Sequence, residues 1–236
     1  MNDKLPKRLL VVGASGGIGR EVSARMASEG WEIFAQGRNV DRLEATLGSV
    51  RNNGGHGQYF ESELTDLAQI DELARWANQD NRLNAVVWSA GGGRSVSSGP
   101  EALDEWERTF ATSLHAPMRL TALTLPTIKQ NQGAYLYICG MYAKIGMAKM
   151  AAHCAARHGL EGFTKALFEE VREEGVCVHL LHPGFVYSSL TNTEKLDPDK
   201  MIQASDIADM VAMALTLPKN ACVTEMIVRP QRSPYK

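Results

Sequence analysis

Seven short apolar runs, separated by stretches in which apolar residues recur at helical spacing, constrain this chain more than any other feature. The runs fall at residues 9–12, 32–35, 57–60, 85–89, 134–139, 176–181 and 223–228. Between them lie amphipathic segments; residues 66–79, for example, put Leu67, Ile70, Leu73, Ala74 and Ala77 on one helical face. Asp66 is suited to cap that helix, and Gly175 closes the long segment 151–174 where a left-handed residue is wanted. Strand–helix alternation along the whole length predicts an α/β fold: one doubly wound parallel sheet of about seven strands, helices on both faces. No repeat, low-complexity tract or linker interrupts it, so 1–236 reads as a single domain. A hydrophobic fraction of 44% in 236 residues is enough for its core.

Bulk charge narrows the partners. A formal net charge of −2 gives no reason to expect nucleic acid or an anionic membrane surface. The first eight residues lack the apolar stretch of a secretory signal, and no run is long enough to span a bilayer. The expectation is a cytoplasmic protein. Cys139, Cys154, Cys177 and Cys222 are scattered, with no Cys-x-x-Cys pair and no neighbouring ligand cluster, which predicts reduced thiols and no structural metal.

The first strand–helix unit carries the clearest chemistry. Leu9-Leu10-Val11-Val12-Gly13-Ala14-Ser15-Gly16-Gly17-Ile18-Gly19 runs from a strand through a glycine turn into a helix. Glycine permits positive φ and close approach of a ligand to the backbone, and the free N–H groups of the next helix then face phosphate oxygens. A dinucleotide pyrophosphate site follows. The second strand should end beside the adenosine ribose, where an acidic residue would receive a 2′-hydroxyl. This chain has Gly37-Arg38-Asn39 there. A guanidinium binds a 2′-phosphate with two parallel hydrogen bonds, so the expected cofactor is NADP(H). The competing reading of Arg38 is a solvated arginine that begins a helix.

With these residues in view, the chain resembles the short-chain dehydrogenase/reductase family over essentially its full length. Glu63-Leu64 stands where that family has an aspartate and an apolar residue beside the adenine. Trp88-Ser89-Ala90-Gly91 occupies its Asn-Asn-Ala-Gly position, and Pro183-Gly184-Phe185-Val186-Tyr187-Ser188 resembles its Pro-Gly-x-Val-x-Thr segment at the nicotinamide carboxamide. The resemblance implies a nucleotide-binding half at about 7–140 and a substrate half at about 141–230. It implies a cofactor site made of Gly13, Ser15, Gly16, Gly17, Ile18, Gly19, Arg38, Asn39, Glu63, Leu64, Ala90, Gly91, Arg157, Pro183, Gly184, Val186 and Ser188.

The family's chemistry rests on an asparagine, a serine, a tyrosine and a lysine. Aligned on the segments above, those positions fall on Ser113, Gly140, His153 and Arg157, at the family's usual intervals of 27, 13 and 4 residues. Gly140 has no side chain to steady an oxyanion. Ser113 is too short to copy an amide's two roles, and Arg157 cannot release a proton near neutrality. A positive neighbour should keep His153 neutral. Losing a positioned general acid typically costs about 10²–10⁴ in rate. Tyr142, Tyr187 and His153 are the candidate replacements, each with a structural role as the alternative; His56, His115, His158, His179 and His182 read as structural or exposed. Two functions stand open: an NADP(H)-dependent oxidoreductase acting on a small carbonyl or alcohol through a non-standard proton donor, and an inactive homologue that holds NADP(H) as a sensor or brace. Residues 190–200 leave room for a modest substrate lid. In this family the long helix pairs with its symmetry mate, so Phe163, Leu167, Phe168 and Val171 suggest a homodimer or homotetramer.

Overall fold

Strand β1 (Arg8–Val12) is buried along its whole length, and its side chains divide between two cores. Leu9 and Val11 face one side, Leu10 and Val12 the other, as the two-residue period of a strand requires. The structure is a computed structural model and describes residues 5–188, 191 and 193–236. The expected substrate lid begins at Leu190, outside the described residues, and residues 1–4 of the amino-terminal stretch also lie outside them.

The remaining strands are β2 (Glu32–Gly37), β3 (Gly57–Glu61), β4 (Leu83–Trp88), β5 (Ala134–Ile138), β6 (Cys177–Pro183) and β7 (Glu225–Val228). All pair in parallel, in the order β3-β2-β1-β4-β5-β6-β7. The order reverses between β1 and β4, and the crevice at that switch point is where an open α/β sheet binds its ligand. Helices α1 (Gly17–Ser28), α2 (Val40–Asn52) and α7 (Ala204–Thr216) cover one face through Val22, Met26, Leu43, Leu47, Ile207 and Val211. Helices α3 (Leu67–Ala77), α5 (Ala116–Gln130) and α6 (Ala151–Val171) cover the other through Ile70, Leu73, Leu120, Ile128, Leu160 and Val171. Helix α4 (Leu103–Phe110) runs through a π-helical turn, Ala111–His115, into α5.

Local signals behave as the residues dictate, with instructive exceptions. The Asp66 carboxylate accepts from the Ala68 and Gln69 N–H groups and starts α3. Leu67, expected on the buried face, is 51% exposed because it sits in the first turn, before the helix meets the sheet. Gly175 takes φ +77° after a 3₁₀ turn that finishes α6. On α6, Leu167 and Val171 are buried, and Phe163 and Phe168 pack against the same core.

The cysteine expectation needs correction. Leu180 pairs with Glu225 across β6 and β7. Three residues earlier on each side of that pairing, Cys177 at the start of β6 meets Cys222 just before β7. Their sulfur atoms and the His179 ring lie within 4.8 Å of one another. The sequence separation of 45 hid this cluster; the parallel register creates it.

Candidate functional site

Each glycine of the turn after β1 does a different job. Gly13 has φ +86°, and a methyl built on it would lie 2.8 Å from the Ala90 nitrogen, so only glycine lets the β4 end close on the turn. A methyl on Gly19 would lie 2.4 Å from the Gly13 carbonyl oxygen, which fixes how tightly α1 springs from β1. Gly16 occupies the cap position of α1 and brings no side chain to it, so the first-turn N–H groups stay available to an anion. Gly17 faces Ser188, whose Cβ is the nearest atom to its built methyl, at 3.8 Å. Ile18 turns inward and packs on the core.

Beyond β2, a groove of about 1050 Å³ runs along the carboxyl ends of the strands. Gly13, Ser15, Gly16, Arg38, Glu63, Leu64, Ala90 and Gly91 all line it. The Arg38 side chain is 73% exposed and pairs with Glu63 at 3.3 Å. Asn39 spends its side-chain oxygen on the Arg42 N–H at 2.9 Å, capping α2. Arg42 itself lines the groove and was missed; its place in the first turn of the helix that follows Arg38 was the available signal. Ser15 sits against Gly37, where a methyl would come 2.6 Å from its hydroxyl.

Of the four positions aligned with the proton machinery, Ser113, His153 and Arg157 gather around the Gly91–Gly93 loop. Gly91 has φ +109°, and a methyl there would lie 2.6 Å from Arg157 Nη2 and 3.0 Å from Ser113 Oγ. Ser113 lies in the π-helical turn between α4 and α5, a type of irregularity found often at functional sites. Arg157 is only 4% exposed and donates to the carbonyls of Ile138 and Ala90 at 3.2 and 3.3 Å. It makes no ion pair among the described residues, and burial draws it below its ordinary pKa. His153 lies on the same face, one turn earlier, with Gly93 packed against its ring. Burial, and then the charge of Arg157, push His153 down to about 4, so it is neutral at pH 7. Tyr142 meets the His153 ring edge-on at 4.8 Å between centroids, and burial raises its hydroxyl. Ser113 Oγ, His153 Nδ1 and Arg157 Nε are buried and have no protein partner.

Gly140 adds a backbone fact. Its φ of +70° with ψ 177° is a conformation that residues with a side chain rarely adopt. Its carbonyl accepts from Nδ1 of the fully buried His182 at 3.1 Å, and the His182 Nε2 lies 3.4 Å from Glu225. Glu225 pairs in turn with Lys144, which reaches Glu161 on α6. This polar chain under the site was not visible in the sequence, because its members come from β6, β7, α6 and the turn after β5.

Pro183 ends β6, and the Gly184 N–H bonds the Val228 carbonyl at 2.8 Å. Val186 bridges to Ile202. That pairing turns Tyr187 and Ser188 toward a second hollow of about 560 Å³ over the glycine turn, shared with Arg20 and Arg42. Tyr187 is 41% exposed there, apart from the His153–Tyr142 pair.

Comparison with known proteins adds ancestry to this geometry. The profile of the short chain dehydrogenase family matches residues 7–199. An uncharacterized oxidoreductase of Staphylococcus aureus strain MRSA252 is 27% identical over 226 residues, covering 95% of this chain and 97% of that one. A metagenomic short-chain oxidoreductase, solved in complex with NADP, superposes with a TM-score of 0.82 at 26% identity, covering 96% and 98% of the two chains. An actinorhodin polyketide ketoreductase solved with NADPH superposes with a TM-score of 0.86 at 24% identity, covering 95% and 96%. No helix among the described residues is long and apolar enough to cross a membrane.

Proposed function

This chain belongs to the short-chain dehydrogenase family, and from that premise we propose that it is an NADP(H)-dependent oxidoreductase acting on a small carbonyl or alcohol through a non-standard proton donor. One observation carries the reading: the groove along the strand ends joins side-chain-free amides at the start of α1 to two guanidinium groups, Arg38 and Arg42. The residues fit the cofactor. Gly16 and Gly17 leave the pyrophosphate loop clear, Arg38 and Arg42 meet a 2′-phosphate, and Leu64 and Ala90 offer apolar walls for the adenine. The relatives solved with NADP and NADPH support the same choice. Bound NADPH supplies a hydride. The protein's part is to hold the nicotinamide end against Pro183–Ser188, keep water out, and furnish a proton from Tyr142 or from neutral His153. Glu63 tempers the 2′-phosphate site, because its carboxylate already shares Arg38.

A specific observation favours a second reading, in which the protein holds NADP(H) without turnover. Arg157 commits two of its nitrogens to main-chain carbonyls, and His153 has no charge to give up at pH 7. Calorimetry with NADPH and NADH, run beside absorbance assays on a carbonyl panel, separates the readings. The enzyme reading requires consumption of NADPH that falls at least about tenfold in Tyr142→Phe or His153→Ala. Binding without consumption supports the second reading. Arg38→Asp should lower the NADPH:NADH preference by about tenfold or more; an unchanged ratio refutes the 2′-phosphate assignment. Assembly as a homodimer or homotetramer in the cytoplasm belongs to the same proposal, and analytical ultracentrifugation tests the assembly.

A further inference from the structure

We propose that Cys177 and Cys222 form a reversible disulfide when the protein meets a peroxide, tying strand β7 to β6 at the end of the sheet opposite the cofactor groove. Three observations place the pair. Leu180 stands opposite Glu225, so the register carried back three residues sets Cys177 opposite Cys222. Opposed residues of neighbouring strands have Cα atoms about 5 Å apart, inside the range of about 4.4–6.8 Å that a disulfide spans. The chain before β7 is held to that register: the Leu180 N–H donates to the Thr224 carbonyl at 2.9 Å, and His179 Nδ1 to the Val223 carbonyl at 2.8 Å. The two sulfur atoms already lie within 4.8 Å. Both residues are half-buried, in contrast to the buried Cys139 and Cys154, so a small oxidant reaches this pair first.

The thiols differ in reactivity. A hydrogen bond from Cys222 lowers Cys177 to about 7 against the opposing effect of burial, while Cys222 is pushed up. Cys177 therefore supplies the thiolate. Its sulfur attacks one peroxide oxygen, the O–O bond breaks, and the departing hydroxide takes a proton to become water. The Cys222 sulfur then attacks the resulting sulfenic acid, the S–O bond breaks, and the hydroxyl leaves with the Cys222 proton as a second water. Two thiols lose two electrons and the peroxide gains them.

A metal held by the same three residues is the rival. His179 Nδ1 lies 3.8 Å from Cys222 Sγ, but it points a proton at the Val223 carbonyl and has no lone pair to offer. The closed loop would span Pro183–Ser188 and α7, so the cross-link would stabilise mainly by restricting the unfolded chain.

The test treats the purified protein with one equivalent of hydrogen peroxide. Expected are loss of two of the four titratable thiols, a mass decrease of about 2 Da, and a non-reduced peptide map joining Cys177 to Cys222. Melting temperature should rise by about 5–10 °C and fall back with dithiothreitol. Cys177→Ser and Cys222→Ser should each abolish the rise, whereas Cys154→Ser should not. The map of the unsubstituted protein decides the matter even where a variant fails to fold. A link through Cys139 or Cys154, oxidation of Cys177 without a link, or zinc that co-purifies and shields both thiols would each overturn the proposal.

Discussion

The turn after β1 and the cluster around His153 lie on the same edge of the sheet, yet they work by different means. At the turn, the backbone performs the function: Gly13 and Gly19 are pinned by contacts no side chain could survive, and α1 offers its amides directly. Around His153, the family's function depends on four side chains, and on the correspondence proposed from the sequence those positions hold Ser113, Gly140, His153 and Arg157. Arg157 spends Nη1 and Nη2 on carbonyls and His153 is held neutral. At Gly13 and Gly19 any side chain runs into the backbone, so a substitution there must shift the turn itself. Proton transfer that rests on side chains can be lost while the groove beside it stays whole. Within one sheet, recognition and chemistry are therefore separable.

The largest expected effect strikes the backbone-built side. Gly19→Val places its Cβ 2.4 Å from the Gly13 oxygen and 2.8 Å from Ala14 Cα, so the turn must move. NADPH affinity should fall by at least about 100-fold, with a stability loss of about 1–3 kcal/mol. Calorimetry and denaturant unfolding measure both. Retained affinity would mean the turn does not hold the dinucleotide, and the contrast between the regions would dissolve.

The next effect runs in the other direction. The double change His153→Tyr and Arg157→Lys should raise carbonyl reduction by about 10² or more if the groove already places cofactor and substrate. Adding Gly140→Ser should not complete the repair, because φ +70° at that position strains any side chain by about 1–3 kcal/mol. A serine at that position would therefore come with backbone strain in the turn after β5. Steady-state rates of the double and triple variants, with their melting temperatures, check this.

Much of the fold was legible because strand periodicity, the Asp66 cap and Gly175 are local signals. The glycine turn was legible for the same reason. What escaped was assembled by register or by packing. Cys177 meets Cys222 only once β7 lies beside β6, and His182 reaches Glu225 only across the same pair. The left-handed conformation of Gly140 was equally hidden, since a glycine in sequence does not announce its φ. The commitment of Arg157 to two carbonyls likewise needed the ends of β4 and β5 in place.

A smaller effect sharpens the comparison through pH. His153 is held down to about 4 in the fold against an ordinary value of 6.5. As pH falls below 6.5 the unfolded chain binds a proton that the folded chain refuses, so stability drops from about pH 6.5 to about pH 4 and then levels. The contribution is roughly 2 kcal/mol, and His179 and His182, also lowered by burial, add in the same direction. His153→Gln should remove its share of the loss between pH 7 and pH 4.5, measured by urea unfolding. An identical acid profile in the variant would mean that the ring is not buried as described.

The smallest effect tests whether the nucleotide side leans on one side-chain relay of its own. The Gln69 amide donates to Asp66 Oδ2 at 2.9 Å, and its oxygen accepts from the Glu63 N–H at 2.8 Å. Asp66 therefore caps α3 and also steadies the residue that pairs with Arg38. Asp66→Ala should cost about 1 kcal/mol of stability through the lost cap. NADPH affinity should change by no more than about threefold, since the grip proposed for the groove is the glycine turn and the two guanidinium groups. A tenfold loss of affinity at that modest stability cost would show that the cofactor side also depends on a fragile side-chain chain, and the division between backbone-built binding and side-chain-built chemistry would have to be redrawn around Glu63.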